Sequence, residues 1–286
     1  MQASALEVLF ESGLCPEMVV GTSAGALNSI YIASYPTVDG MRDLIASWKT
    51  VGDKEVGMPR IFTSVRRLIT GQSGLIPPEP LAEFLTDQFP PDVPTFGQLA
   101  QLHGIKAYNT AVCMETGALR VFGDEPQDRL IDGAMSSSAV PPFYPPWKVD
   151  EFHYLDGGIS AKLPLMAAIE RGATQIVALD IQNAMGSLEG TMNMVTLIGY
   201  SISIMTEDQT RREIEAAQSA GVTVRIIKLQ PPADIDFWDY DRVDELIELG
   251  HDQTLAALQE EPIRVSPRWQ LQFRQALART ARKIIP

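Results

Sequence analysis

The stretch VVGTSAGALNS, residues 19–29, constrains this chain more than any other part of it. An apolar run leads straight into Gly21-Thr22-Ser23-Ala24-Gly25, and residues 24–34 then keep the apolar spacing of a helix. A strand that turns into a helix within two residues wants glycine beside the turn, because a Cβ there would meet the reversing backbone. Such a turn lifts the serine hydroxyl clear of a sheet and puts the first helical amides beside it. The pattern predicts a nucleophile elbow at Ser23, with Gly21 and Gly25 relieving the turn. The Ala24 N–H, at the positive end of the helix, would face a developing oxyanion. A small residue in a tight structural turn is the competing reading of the same letters.

The rest of the chain alternates in period. Helices are expected at residues 3–12, 38–50, 80–88, 128–139, 164–171, 191–220 and 241–259, and strands at 18–20, 104–114, 118–122, 152–155, 175–180 and 222–229. Strands alternating with helices predict an α/β fold of three layers, α/β/α, around a mostly parallel central sheet. Residues 1–260 read as one catalytic domain, with a proline-bearing lid or insertion at 58–94 and an appended helical tail at 261–286. Met194, Ile198, Ile202 and Met205 step by four, four and three, the spacing of a core-facing stripe.

The chain has 286 residues, 45% of them hydrophobic, enough for a core of this kind. A net charge of −13 argues against nucleic acid, which needs a concentrated basic surface. The short basic amphipathic stretch 60–70, carrying Arg60, Arg66 and Arg67, leaves room for peripheral contact with a lipid surface. No stretch approaches the roughly 20 apolar residues that span a bilayer, and no secretory signal opens the sequence. Cys15 and Cys113 lack metal-ligand spacing and fit the reduced thiols of a cytoplasmic protein. No phosphate-cradling glycine loop or metal cluster occurs, so neither cofactor nor metal is expected. Oligomeric state is not set by these features.

A serine hydroxyl needs a base. Three histidines are available, His103, His153 and His251. The order Ser23, Asp156, His251 would copy an α/β-hydrolase triad, but that fold sets several strands ahead of its elbow and here there is room for one. The alternative is a carboxylate acting alone, Asp156 in Tyr154-Leu155-Asp156-Gly157-Gly158, read as the C-terminal end of a parallel strand. Such a base must reach the hydroxyl at about 2.6–3.2 Å in a site dry enough to raise its basicity. Asp180 reads as a turn or cap residue, and the cluster 141–147 as either acyl-pocket lining or turn packing.

Three blocks together resemble the patatin-like phospholipase family. GTSAGALN (21–28) is similar to its serine elbow. AMSSSAVPPFYPP (134–146) is similar to its small-residue helix and proline–aromatic turn. YLDGGISAKLP (154–164) is similar to its aspartate block, with Lys162 where an Asn-type residue is usual. The resemblance implies a Ser–Asp dyad, in which Ser23 forms an acyl-enzyme on a lipid ester and Asp156 is the base, in a loop shaped by Gly157 and Gly158. It implies substrates among phospholipids, lysophospholipids, glycerides or simple esters, and no cofactor. Family members usually begin with a strand and a Gly-Gly-Gly-x-Arg/Lys-Gly turn that donates to the oxyanion. Here the sequence opens at MQASALEVLFESGL, so that strand and loop are expected to be missing from these residues. A catalytically silent binding or regulatory module of the same fold is the rival expectation.

Overall fold

In the computed structural model, the described residues are 1–53, 64, 66–67, 69–182, 194–233, 235 and 242–263. Most of the 60–70 stretch, the first part of the lid segment and all but the start of the 261–286 tail lie outside them.

Two sheets carry the fold. β1 (Met18–Gly21), β2 (Lys106–Cys113), β3 (Leu119–Phe122), β4 (Trp147–Val149) and β5 (Phe152–Asp156) form one, and β6 (Gln175–Ile181) and β7 (Thr223–Leu229) the other. The three-layer α/β/α class is as expected. The pairing is more mixed than the alternation implied: β1–β2 and β6–β7 are parallel, whereas β2–β3, β2–β5 and β4–β5 are antiparallel. Short links explain two of these. β2 and β3 are joined through Gly117 at φ 69°, and β4 and β5 through Asp150 at φ 53°. Connections this short can only reverse the chain.

Both faces of β6–β7 are covered. Val177, Leu179, Ile227 and Leu229 pack with Ala5 and Leu9 of α1 (Gln2–Glu11) and with Ala257 and Leu258 further along the chain. Ile176, Ala178, Val224 and Ile226 pack on the opposite face with Leu165, Ile169, Ile214 and Ala217. This strict alternation is the period-two geometry of a strand buried on both sides. Around β2, Ala107, Ala111 and Cys113 meet Leu27, Ile30 and Ala33 of α2 (Ala24–Ser34) in the main core. Met41 and Leu44 of α3 (Val38–Asp53) close a second cluster against α1 and α2.

The remaining α-helices among the described residues are α4 (Glu79–Gln88), α5 (Phe96–His103), α6 (Leu130–Ser137), α7 (Leu165–Glu170), α8 (Met194–Ser219) and α9 (Val243–Glu260). The sequence reading left α5 and β4 unassigned. The apolar stripe read on α8 is corrected: Ile202 and Met205 are 51% and 60% exposed, and the helix packs through Ile214 and Ala217 nearer its C-terminus. No helix among the described residues is long and apolar enough to cross a membrane.

Between β1 and β6 lies a cavity of about 380 Å³, lined by both strands, by Leu6, Leu9 and Phe10 of α1, and by Leu163 and Leu165. The Lys106 N–H donates to Glu17 O, so alternation turns the backbone groups of Met18 and Val20 away from β2, toward this cavity. The Gln182 N–H donates to Leu229 O, which likewise turns Val177 and Leu179 away from β7. The Gln2 side-chain amide reaches Leu179 O at 3.3 Å and partly plugs the slot.

Candidate active site

The elbow forms as its letters demand. A Cβ on Gly21 would lie 1.9 Å from Gly25 O, so glycine is obligatory there; Gly25 meets no such obstacle. Ser23 caps α2 with φ 56° and ψ −126°, a conformation that non-glycine residues avoid. Bonds from the Gly25 N–H to Thr22 O (2.9 Å) and from the Ala26 N–H to Ser23 O (2.8 Å) close the turn. The Ser23 N–H donates to Ser137 Oγ at 2.9 Å. Ala24 N–H, the first amide of α2, has no acceptor within the helix.

Asp156 arrives by a route the sequence did not indicate. It ends β5, but β5 is antiparallel to β2, not parallel as the strand order suggested. Even-numbered β2 residues face both β1 and β5: the Lys106 N–H donates to Glu17 O and the Met114 N–H to His153 O, while the Cys113 N–H donates to Ala118 O on the β3 side. Hence β1 and β5 share one edge of β2 and meet head to head. Gly21 stands opposite Asn109 and Asp156 opposite Ala111, with Thr110 between them.

Thr110 joins the two ends. Its Oγ1 lies 2.6 Å from Thr22 Oγ1, which donates in turn to Ala161 O, and a Cβ on Gly157 would fall 2.3 Å from it. Gly157 must therefore be glycine for β5 to approach β2. The Gly158 N–H donates to Asp156 Oδ1 at 2.7 Å, and Ala139 O accepts the Asp156 N–H. Asp156 is 4% exposed, and its Oδ2 has no hydrogen-bond partner. Burial pushes its pKa up to about 6, against the opposing pull of the Gly158 N–H and the nearby Ser23 side chain. A buried carboxylate with one unpartnered oxygen near a strained serine has the composition of a nucleophile and its base.

The histidines lie elsewhere. His153 Nδ1 is 2.8 Å from Glu115, His251 pairs with Asp252 on α9, and His103 Nε2 lies 3.1 Å from Ser34 O. Asp180 is buried at the end of β6, where Lys162 Nζ lies 3.4 Å away and donates to Ile181 O. The 141–147 loop packs on residues 74–76, whose Leu75 and Ile76 amides donate to Pro142 and Phe143 carbonyls. No group of three or more His, Cys, Asp or Glu side chains comes together among the described residues. From sequence, Ser137 was placed only within the 134–146 block and Thr110 was not singled out. Ser137 had a visible signal, its place in a small-residue helix of the second block; Thr110 had none.

A family model described as patatin-like phospholipase matches residues 1–169. A protein of Escherichia coli strain K12, the uncharacterized protein YjjU, is 28% identical over 165 residues. That match takes in 57% of this chain and 43% of the relative, so the chain spans less than half the length of the curated protein it resembles.

Proposed function

Because the chain belongs to the patatin-like phospholipase family, we propose that it hydrolyses carboxylic esters of phospholipids or related lipids through Ser23 and Asp156. The observation that carries this reading is the head-to-head meeting of β1 and β5, which brings a strained serine and a buried carboxylate to either side of Thr110. Asp156 Oδ2 takes the Ser23 proton as Oγ attacks the ester carbonyl. The Ala24 N–H stabilises the oxyanion, and the Asp156 proton passes to the leaving alkoxide as the acyl-enzyme forms. Asp156 then takes a proton from water, whose oxygen attacks the acyl carbon. The carboxylic acid departs and Ser23 Oγ recovers the proton. No metal or organic cofactor enters these steps.

A specific observation favours the second reading, a silent binding module. With the Ser23 N–H engaged by Ser137, the elbow offers an oxyanion the Ala24 N–H, and the ladder groups of Met18 and Val20 face the slot without a paired strand. An extended strand seated in that slot would pair with both edges and end near the elbow, so the fully active form is proposed to have the slot filled. A fluorophosphonate probe separates the readings. Labelling of the wild type that disappears in Ser23→Ala supports the hydrolase, whereas a folded wild type that takes no label overturns it for these residues.

A further inference from the structure

We propose that Ser137 is a positioning residue that holds the nucleophile's backbone in its strained conformation. The inference rests on the reading of Ser23 as nucleophile. Ser137 closes α6, is fully buried, and its Oγ accepts the Ser23 N–H at 2.9 Å across 114 residues of sequence. Two residues later, Ala139 O accepts the Asp156 N–H at 3.0 Å. Segment 137–139 thus grips the backbones of both Ser23 and Asp156, adding a second tether to the one that β2 provides.

The contact acts on the one elbow bond that the turn does not supply for itself. The Gly25 N–H holds the carbonyl end of the peptide joining Thr22 to Ser23 and the Ala26 N–H holds Ser23 O, but neither engages the N–H end of that peptide, which Ser137 Oγ accepts. That peptide sets the direction of the Ser23 side chain. Without an acceptor its part-buried N–H loses a partner, and the positive φ relaxes by rotation. The hydroxyl then swings off the Asp156 line. Ser136 offers no substitute, because its own Oγ is buried and unpartnered. Ser137 touches neither the reacting atoms nor the binding surface, so its loss lowers turnover while substrate affinity stays in place.

The test compares wild type, Ser137→Ala, Ser137→Cys and Ser23→Ala, using kcat and KM on a soluble p-nitrophenyl ester and hydrogen exchange of the Ser23 amide. Ser137→Ala should lower kcat by about 10–100-fold with KM unchanged within about twofold, and should speed Ser23 amide exchange. Ser137→Cys, nearly isosteric but a much weaker acceptor, should show the same signature and serves where alanine does not fold. Wild-type kcat and exchange in a folded variant overturn the proposal, as does a loss confined to KM. If wild type and Ser23→Ala hydrolyse the ester equally, the nucleophile reading is what fails. Exchange at the Ser23 amide then still decides whether Ser137 holds the turn.

Discussion

At the scale of single residues, Asp156, the proposed base, ties chemistry to stability. With a folded pKa near 6, it is ionised and able to accept a proton only above that pH. The kcat/KM profile should therefore rise with an apparent pKa of about 6 and level off above about pH 7.5; a flat profile from pH 5 to 8 would remove Asp156 as the base. The same shift sets a linkage. The folded pKa lies above the ordinary 3.8, so the contribution to stability is fully present below that value and is lost as pH rises through about 6. At pH 8 the buried carboxylate burdens the fold by on the order of 2–3 kcal/mol. Asp156→Asn should cost about 10²–10⁴-fold in kcat yet melt later than wild type in urea at pH 8, with the gain shrinking toward pH 5. Ser23 and Gly21 complete this scale. Their demands were legible in the letters, because a steric requirement 1.9 Å tight leaves few alternatives.

At the scale of elements, β2 is the ruler that sets the proposed dyad. It pairs β1 up to Asn109 and β5 down to Ala111 along one edge, and the two strand ends face each other over Thr110. Gly157 is where this arrangement is tightest, since an added Cβ would press on Thr110 O and Oγ1 within about 2.4 Å, a contact with backbone that cannot swing away. Gly157→Ala should displace the end of β5, lowering kcat by at least about 10-fold and stability by about 1–3 kcal/mol. Wild-type activity and an unchanged urea midpoint would show that β5 need not lie so close. Other elements were readable to different degrees. The bounds of α2 and β5 came close because the glycines beside each element and the apolar spacing agreed there. Helix α5 was missed although Thr95 accepts the Gln98 N–H and Gly104 closes the helix at φ 77°, a start and stop that its sequence spells out. The α8 stripe misled, because its spacing is helical but nothing among the described residues packs over Ile202 and Met205.

At the scale of the whole molecule, the slot between β1 and β6 is the principal break in the layered sheet. Its walls mix apolar side chains such as Leu6, Leu9 and Phe10 with polar ones such as Gln2 and Lys162, and its edges carry ladder groups turned inward from Met18, Val20, Val177 and Leu179. Unpaired edges of this kind are sites for an added strand. Backbone exchange should report it directly: the Val20 and Val177 amides should exchange at least about 100-fold faster than those of Val19 and Ala178, which face β2 and β7. Equal protection would mean that the slot is closed in solution. What the sequence by itself determined is local: the elbow at Ser23, the glycines at 21 and 157, the alternation of strands and helices, and the blocks that mark the family. All depend on neighbours within a few residues, where sterics and periodicity act. Only the tertiary structure decided that β5 runs against β2 and meets β1 end to end, that Ser137 grips the Ser23 backbone from 114 residues away, and that β1 and β6 face each other across a gap. These depend on which strand edges find each other, and a strand's two edges offer the same hydrogen-bonding groups whatever side chains it carries.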